Sequence, residues 1–259
     1  MGIEAEPMLD VREVSKEFVS VKNAEAVLAL DRISFTVNEG EFFVILGPSG
    51  SGKTTILNLI AGFETPSSGQ VIVNGSVVTA PSWQRAVVFQ EHALFPWLTT
   101  AENIEFGLKM KDVPAEKRRE IVREYVDIVG LRGFENKYPK ELSGGMKQRV
   151  GIARALAVDS SIVIMDEPLG ALDAQTRSEM QDELLRILQQ HEKKKTVLLV
   201  THSIEEALKL ADVILVLSAR PGRVKKTFRI EQTRPRKVLE DPEIIRLNVD
   251  LHELLHKAR

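Results

Sequence analysis

The stretch Glu41-Phe42-Phe43-Val44-Ile45-Leu46-Gly47-Pro48-Ser49-Gly50-Ser51-Gly52-Lys53-Thr54-Thr55-Ile56-Leu57-Asn58-Leu59-Ile60-Ala61 decides the fold. It opens on an apolar run fit for a buried parallel strand. It closes on an apolar run that reads as a helix starting near Lys53. Between them, residues 47–54 fit the pattern G-x-x-x-x-G-K-[ST] of a phosphate-binding loop. Strand, loop and helix is the setting this pattern requires.

The chemistry follows from the residue types. Successive backbone N–H groups in a Gly-rich turn form an anion nest. Glycines supply the positive φ angles such a turn needs. The helix behind points its positive dipole end at the phosphates. Lys53 adds a full charge near the β- and γ-phosphates, and the Thr54 hydroxyl can ligate Mg²⁺. Gly47, Pro48, Ser49, Gly50, Ser51, Gly52, Lys53, Thr54 and Thr55 are therefore the candidate contacts to ATP.

A second apolar run, Ser161-Ile162-Val163-Ile164-Met165-Asp166-Glu167, ends in two carboxylates. In open α/β sheets ligands sit beyond the carboxyl ends of strands. Asp166 can hold Mg²⁺ through water. Side chains alternate along a strand, so Glu167 is expected on the other side, where it could orient or deprotonate water. Two solvated acids at a strand end are the plain alternative.

These segments, with several others, resemble the ATP-binding subunit of an ABC transporter. Leu142-Ser143-Gly144-Gly145-Met146, followed by Lys147-Gln148-Arg149, resembles that family's signature, with Met146 where Gln is commoner. Gly170-Ala171-Leu172-Asp173 resembles its dimer-contact loop, Gln90 its Q-loop glutamine, His202 its switch histidine, and Phe18 its adenine-stacking aromatic. The resemblance implies a P-loop NTPase core with an antiparallel β subdomain and an inserted α-helical subdomain. It implies ATP and Mg²⁺ as cofactors, with Thr54, Gln90 and Asp166 about the metal and Lys53, Glu167 and His202 promoting hydrolysis. It also implies that Ser143, Gly144 and Gly145 close over the nucleotide of a second copy. Physically, Ser143 can cap the helix-like run from Met146 to Leu156, whose N-terminus is a second anion site. An ordinary capped helix, a structural histidine at 202 and a core phenylalanine at 18 are the competing readings.

Bulk properties limit the partners. The chain has 259 residues, 43% of them hydrophobic, and a net charge of −2, which gives no basic field for nucleic acid. The runs Lys117-Arg118-Arg119 and Lys193-Lys194-Lys195 have Glu116, Glu120 and Glu192 beside them and read as solvated helix faces. No Cys is present, so disulfides and thiolate sites are excluded. No run approaches the ~18 apolar residues of a membrane span. The acidic start does not resemble a secretion signal. The family resemblance implies a location at the cytoplasmic face of the cell membrane, reached through transmembrane permease subunits that work with a solute-binding protein.

An ATPase domain is expected over residues 8–217, with its helical subdomain at about 91–156. A strand and helix extension follows at 218–259. Ala93-Leu94-Phe95-Pro96-Trp97-Leu98 places aromatic side chains beside a Pro-interrupted loop. The segment is either buried in the helical subdomain or lines the groove that receives a permease helix. This segment, Met146 and Ser218-Ala219-Arg220-Pro221-Gly222-Arg223-Val224 together resemble importers of nitrate, sulfonates or taurine. A soluble ABC-type ATPase working on a protein or nucleic-acid machine is the alternative function, and a small-molecule kinase of the P-loop class a more distant one.

Overall fold

The structure is a computed structural model that describes residues 6–19, 26–90, 93–170, 173–189 and 194–256. Its elements run β1 (Leu9–Val19), β2 (Ala26–Val37), β3 (Phe42–Leu46), α1 (Lys53–Ala61), β4 (Ser68–Val73), β5 (Ser76–Val77) and β6 (Arg85–Val88). Then come α2 (Thr100–Met110), α3 (Ala115–Ile128), a 3₁₀ turn (Pro139–Glu141), α4 (Gly144–Ala157), β7 (Ile162–Asp166) and α5 (Ala174–Gln189). The order closes with β8 (Thr196–Thr201), α6 (Ile204–Leu210), β9 (Val213–Leu217), β10 (Val224–Arg229) and α7 (Pro242–His256). Glu91 and His92, at the expected start of the helical subdomain, lie outside the described residues, as do residues 20–25 between β1 and β2. The chain divides into two compact units, one of residues 1–82 with 195–259 and one of residues 83–194.

The first unit holds two sheets. One is antiparallel in the order β2-β1-β4-β5. In the other, β3 lies parallel to β8 on one side and to β9 on the other, and β10 continues antiparallel beyond β9. All five residues of β3 and of β9 and all six of β8 are buried. Burial on both faces explains why these strands read as unbroken apolar runs, without alternation. Phe35 on β2 stacks on Phe43 of β3 with ring centroids 5.1 Å apart, joining the two sheets. Helix α1 packs on β8 and β2, and α6 on β3 and α7. The residues from 218 onward belong to this unit, with α7 burying Ile244 and Leu251.

The second unit pairs β6 parallel to β7 and packs α2, α3 and α4 together. Its basic run sits on α3 as expected. Arg118 reaches Glu105 at 2.7 Å and Lys117 reaches Glu120 at 3.1 Å. The loop before α2 hangs on one side chain that the sequence pattern does not reveal. Asn103 is fully buried. Its Nδ2 lies 3.2, 3.0 and 2.9 Å from the carbonyl oxygens of Phe95, Leu98 and Thr99, and its Oδ1 accepts from the Phe95 N–H at 2.9 Å. Thr99 and Glu102 form a reciprocal cap at the start of the same helix. An Asn103→Ala change therefore strips a buried loop of its bridging partner and is expected to cost about 2–3 kcal/mol. Thermal denaturation measures this, and a melt unchanged from wild type would refute the assignment.

Candidate functional site

In the first unit, β3 ends where the loop of residues 47–52 begins. Gly50 and Gly52 adopt φ of 78° and 85°, in the left-handed region that the motif's glycines were expected to supply. Gly47 donates its N–H to the Thr201 carbonyl at 3.4 Å, which ties the loop's start to the end of β8. The Ser51 N–H returns to the Pro48 carbonyl at 3.2 Å. Lys53 starts α1 as expected and is buried. Its ammonium donates to the carbonyls of Gly47 and Pro48 at 2.9 and 3.1 Å. Ser49, Gly50 and Thr54 are exposed, and Thr55 is half-buried. A positive helix end, a buried cation and exposed loop amides can together receive a polyphosphate.

His202 follows β8 directly and is exposed. It lines a cavity of about 810 Å³ together with Gly47 and Pro48, so this unit brings the histidine and the loop together. Ile204 and Glu205 of α6 and Asn248, His252 and Leu255 of α7 line the same cavity. Sequence reasoning missed that α7 borders the loop's mouth, because nothing local to residues 242–256 points to residue 47. Phe18 is 41% exposed on β1, with the Lys16 ammonium 4.9 Å from its ring centroid. That exposure argues against a core phenylalanine and leaves a ring face suited to stacking.

The second unit carries the remaining residues. Asp166 ends β7, as expected. Glu167 departs from expectation, because the strand does not extend to it and its φ is 41°. A left-handed glutamate is strained backbone of the kind that persists where surrounding structure imposes it. The turn, and not strand alternation, therefore sets the direction of this carboxylate. Gln90 lies exposed two residues beyond β6. A Cβ placed on Gly170 would sit 3.7 Å from Gln90 Nε2 and 3.8 Å from Glu167 Cβ, so the glutamine and glutamate flank the same glycine.

Ser143 is the N-cap of α4, its Oγ accepting from the Met146 N–H at 3.3 Å. Gly144 and Gly145 form the first turn, and a Cβ on either would meet nothing within 4 Å. The helix end thus faces open space and borders a cavity of about 570 Å³ lined also by Arg149, Asp173 and Thr176. Asp173 caps α5, accepting from the Thr176 N–H at 3.0 Å and its hydroxyl at 2.7 Å. These bonds hold its carboxyl below the ordinary aspartate range. Ala171 and Leu172 of the same expected loop lie outside the described residues.

A family model described as ABC transporter matches residues 30–170. An ABC transporter ATP-binding protein from Methanocaldococcus jannaschii is 52% identical over 214 residues, covering 83% of this chain and 79% of its own. A taurine import ATP-binding protein from Pelagibacter ubique is 50% identical over 206 residues, 80% of this chain and 77% of the other. A nitrate import ATP-binding protein from a Synechocystis species is 42% identical over 255 residues, 95% and 94% of the two chains. Among solved structures, a dimeric ATP-binding cassette in a post-hydrolysis state with ADP and Pi is 32% identical. It superposes with a TM-score of 0.73 over 87% of this chain and all of that one.

The cap on α4 is open to a direct measurement. Ser143→Ala removes the side-chain acceptor and is expected to cost about 1 kcal/mol of stability, a small lowering of the melting temperature. A melt identical to wild type would remove Ser143 from the capping role.

Proposed function

The chain belongs to the ABC transporter family and is an ATPase of it, and we propose that its place there is the ATP-binding and hydrolysing subunit of a membrane importer. The observation that carries the reading is the pairing of a glycine loop with a buried lysine in one unit and an open, glycine-started, serine-capped helix in the other. Each is an anion site. In one cassette the loop holds the phosphates from one side. In the dimer, the α4 end of the second copy closes over them from the other.

The residues then divide the work. Loop amides of residues 47–52, Lys53, Thr54 and Thr55 hold the polyphosphate, and Phe18 stacks on the base. Glu167 orients and deprotonates the attacking water, and His202 donates a hydrogen bond to the γ-phosphate. Little covalent chemistry falls to the protein in phosphoryl transfer, so positioning and charge stabilisation suffice. Mg²⁺ prefers oxygen donors, and when bound it would neutralise phosphate charge during transfer. The exposed Thr54 hydroxyl, the Asp166 carboxylate at a strand end and the exposed Gln90 amide are donors that fit it.

Permease subunits would be met through the segment after Gln90. Trp97 is 70% exposed and packs against Phe95 with centroids 5.7 Å apart, which argues against its burial in the helical subdomain. No described helix is long and apolar enough to cross a membrane, so membrane attachment at the cytoplasmic face would run through that contact. The taurine and nitrate relatives make a small oxyanionic solute, delivered by a solute-binding protein, the proposed cargo.

Glu167→Gln is expected to keep nucleotide binding and lower turnover by roughly 10²–10⁴-fold, leaving an ATP-bound dimer visible by sizing in MgATP. Lys53→Ala should weaken nucleotide binding instead. Near-normal turnover in Glu167→Gln would end the general-base assignment.

A surface charge separates the transport role from a soluble machine. Trp97→Glu should leave the melting temperature and basal ATPase activity close to wild type, since exposed changes usually stay within about 0.5 kcal/mol. Co-purification with the permease subunits should be lost, because the contact would bury an unpaired carboxylate. Normal assembly and transport by this variant would exclude the segment from coupling.

A further inference from the structure

The turn that follows β9 lies directly beneath the phosphate loop. Gly222 is buried and bridges to Leu30 of β2 in parallel register. Its N–H donates to the Ala29 carbonyl at 2.8 Å, and its carbonyl accepts from the Asp31 N–H at 3.0 Å. A Cβ on Gly222 would collide with the Ser51 carbonyl oxygen and approach Leu30 Cδ2 at 3.1 Å. From the other side, a Cβ on Gly52 would meet Leu30 Cδ2 at 2.5 Å and the Ala29 carbonyl oxygen at 3.1 Å. Strand β2, the turn and the loop are thus stacked backbone on backbone.

We propose that Gly222 is a positioning residue for phosphate binding: it fixes the Ser51–Gly52 peptide and so aims the Gly52 N–H. The argument is one of peptide planarity. The Ser51 C=O and the Gly52 N–H belong to one rigid unit and cannot turn independently. The carbonyl side of that unit rests against Gly222, and the amide side belongs to the anion nest. Any side chain at residue 222 must displace the carbonyl and rotate the amide with it. The turn is itself anchored, since Arg223 grips Asp31 at 2.6 Å and donates its own N–H to Ser218 Oγ at 2.9 Å. The Arg223 hydrogen bond holds the Asp31 carboxyl below the ordinary range and charged in neutral solution. The Ser218 N–H closes the turn on the Arg223 carbonyl at 2.9 Å. The inference rests on the reading of residues 47–55 as the nucleotide phosphate site.

The test uses the full-length chain, a fluorescent ATP analogue, steady-state ATPase kinetics and nucleotide-free thermal melts. Gly222→Ala should raise the nucleotide Kd and the KM for ATP about tenfold, because small displacements of a binding group are costly. At saturating ATP, kcat should fall much less, and the nucleotide-free melt should still be cooperative. A folded Gly222→Ala protein with wild-type Kd and KM would overturn the proposal. If Gly222→Ala does not fold, Arg223→Ala decides. It releases the turn without adding an atom, and should weaken nucleotide binding by a few-fold with kcat retained; wild-type affinity there would overturn the proposal equally. Lys53→Ala runs in parallel. Wild-type affinity in Lys53→Ala would sink the site reading itself, whereas loss in Lys53→Ala with none in Gly222→Ala sinks only the role of Gly222.

Discussion

Backbone amides bind an anion well only when they are already aimed at it and cannot relax away. In water a flexible glycine loop would lose most of its affinity to the entropy of ordering itself. Here the loop is held from several directions. Gly47 is tied to the Thr201 carbonyl, and Ser51 to Pro48. The buried Lys53 ammonium reaches back to two loop carbonyls at 2.9 and 3.1 Å. A Cβ on Gly47 would strike Ser51 Oγ at 2.6 Å and reach Leu217 Cβ at 3.2 Å, so the loop sits on β9 with no room beneath it. The fully buried strands β3, β8 and β9 make that base rigid. Removing the glycines' freedom or the strands' burial would undo the same thing, namely the direction of a few N–H groups.

The second unit solves a different problem by similar means. On the proposed reading, helix α4 presents its N-terminus to a second copy, so crowding would defeat it. Gly144 and Gly145 leave the approach clear, and Ser143 satisfies an inner amide without covering the outer ones. Acidic residues are absent from the first turn of α4. A carboxylate there would favour the isolated helix through its dipole, yet would repel an incoming phosphate. The composition of this turn therefore favours ligand approach over local helix stability.

Much of this was legible in the sequence because the informative residues are close together along the chain. The strand, loop and helix of residues 41–61 signal one another within a few positions, and all three are present as read. The strand before Asp166 and the helix after Ser143 were equally local. The extra features depend on distant pairings. Gly222 meets Ser51 across some 170 positions, and only the folded chain makes them neighbours. Asn103 looks like any polar residue on an amphipathic helix until the preceding loop folds over it. Glu167 was expected to follow strand alternation, but its left-handed φ belongs to a turn whose necessity no propensity encodes. A Pro-Gly pair such as Pro221-Gly222 commonly marks a turn, but what the turn supports depends on the distant contact.

The exposed aromatic pair after Gln90 follows from the same logic of rigidity. An exposed tryptophan brings little to its own domain and is an anchor only if held still, since ordering a loop on contact subtracts from affinity. Asn103 ties down Phe95, Leu98 and Thr99 on both sides of Trp97. Phe95 packs on Phe106 at 4.4 Å between centroids, and the Arg154 guanidinium lies 5.5 Å from its ring. Arg154 also reaches the Ala93 carbonyl at 2.8 Å, which fixes the loop's first described residue. Burial of Asn103 and exposure of Trp97 are thus two ends of one device. The polar side chain gives up its solvent to hold the backbone, and the indole is left largely exposed on a tied-down loop, as the proposed docking contact would require.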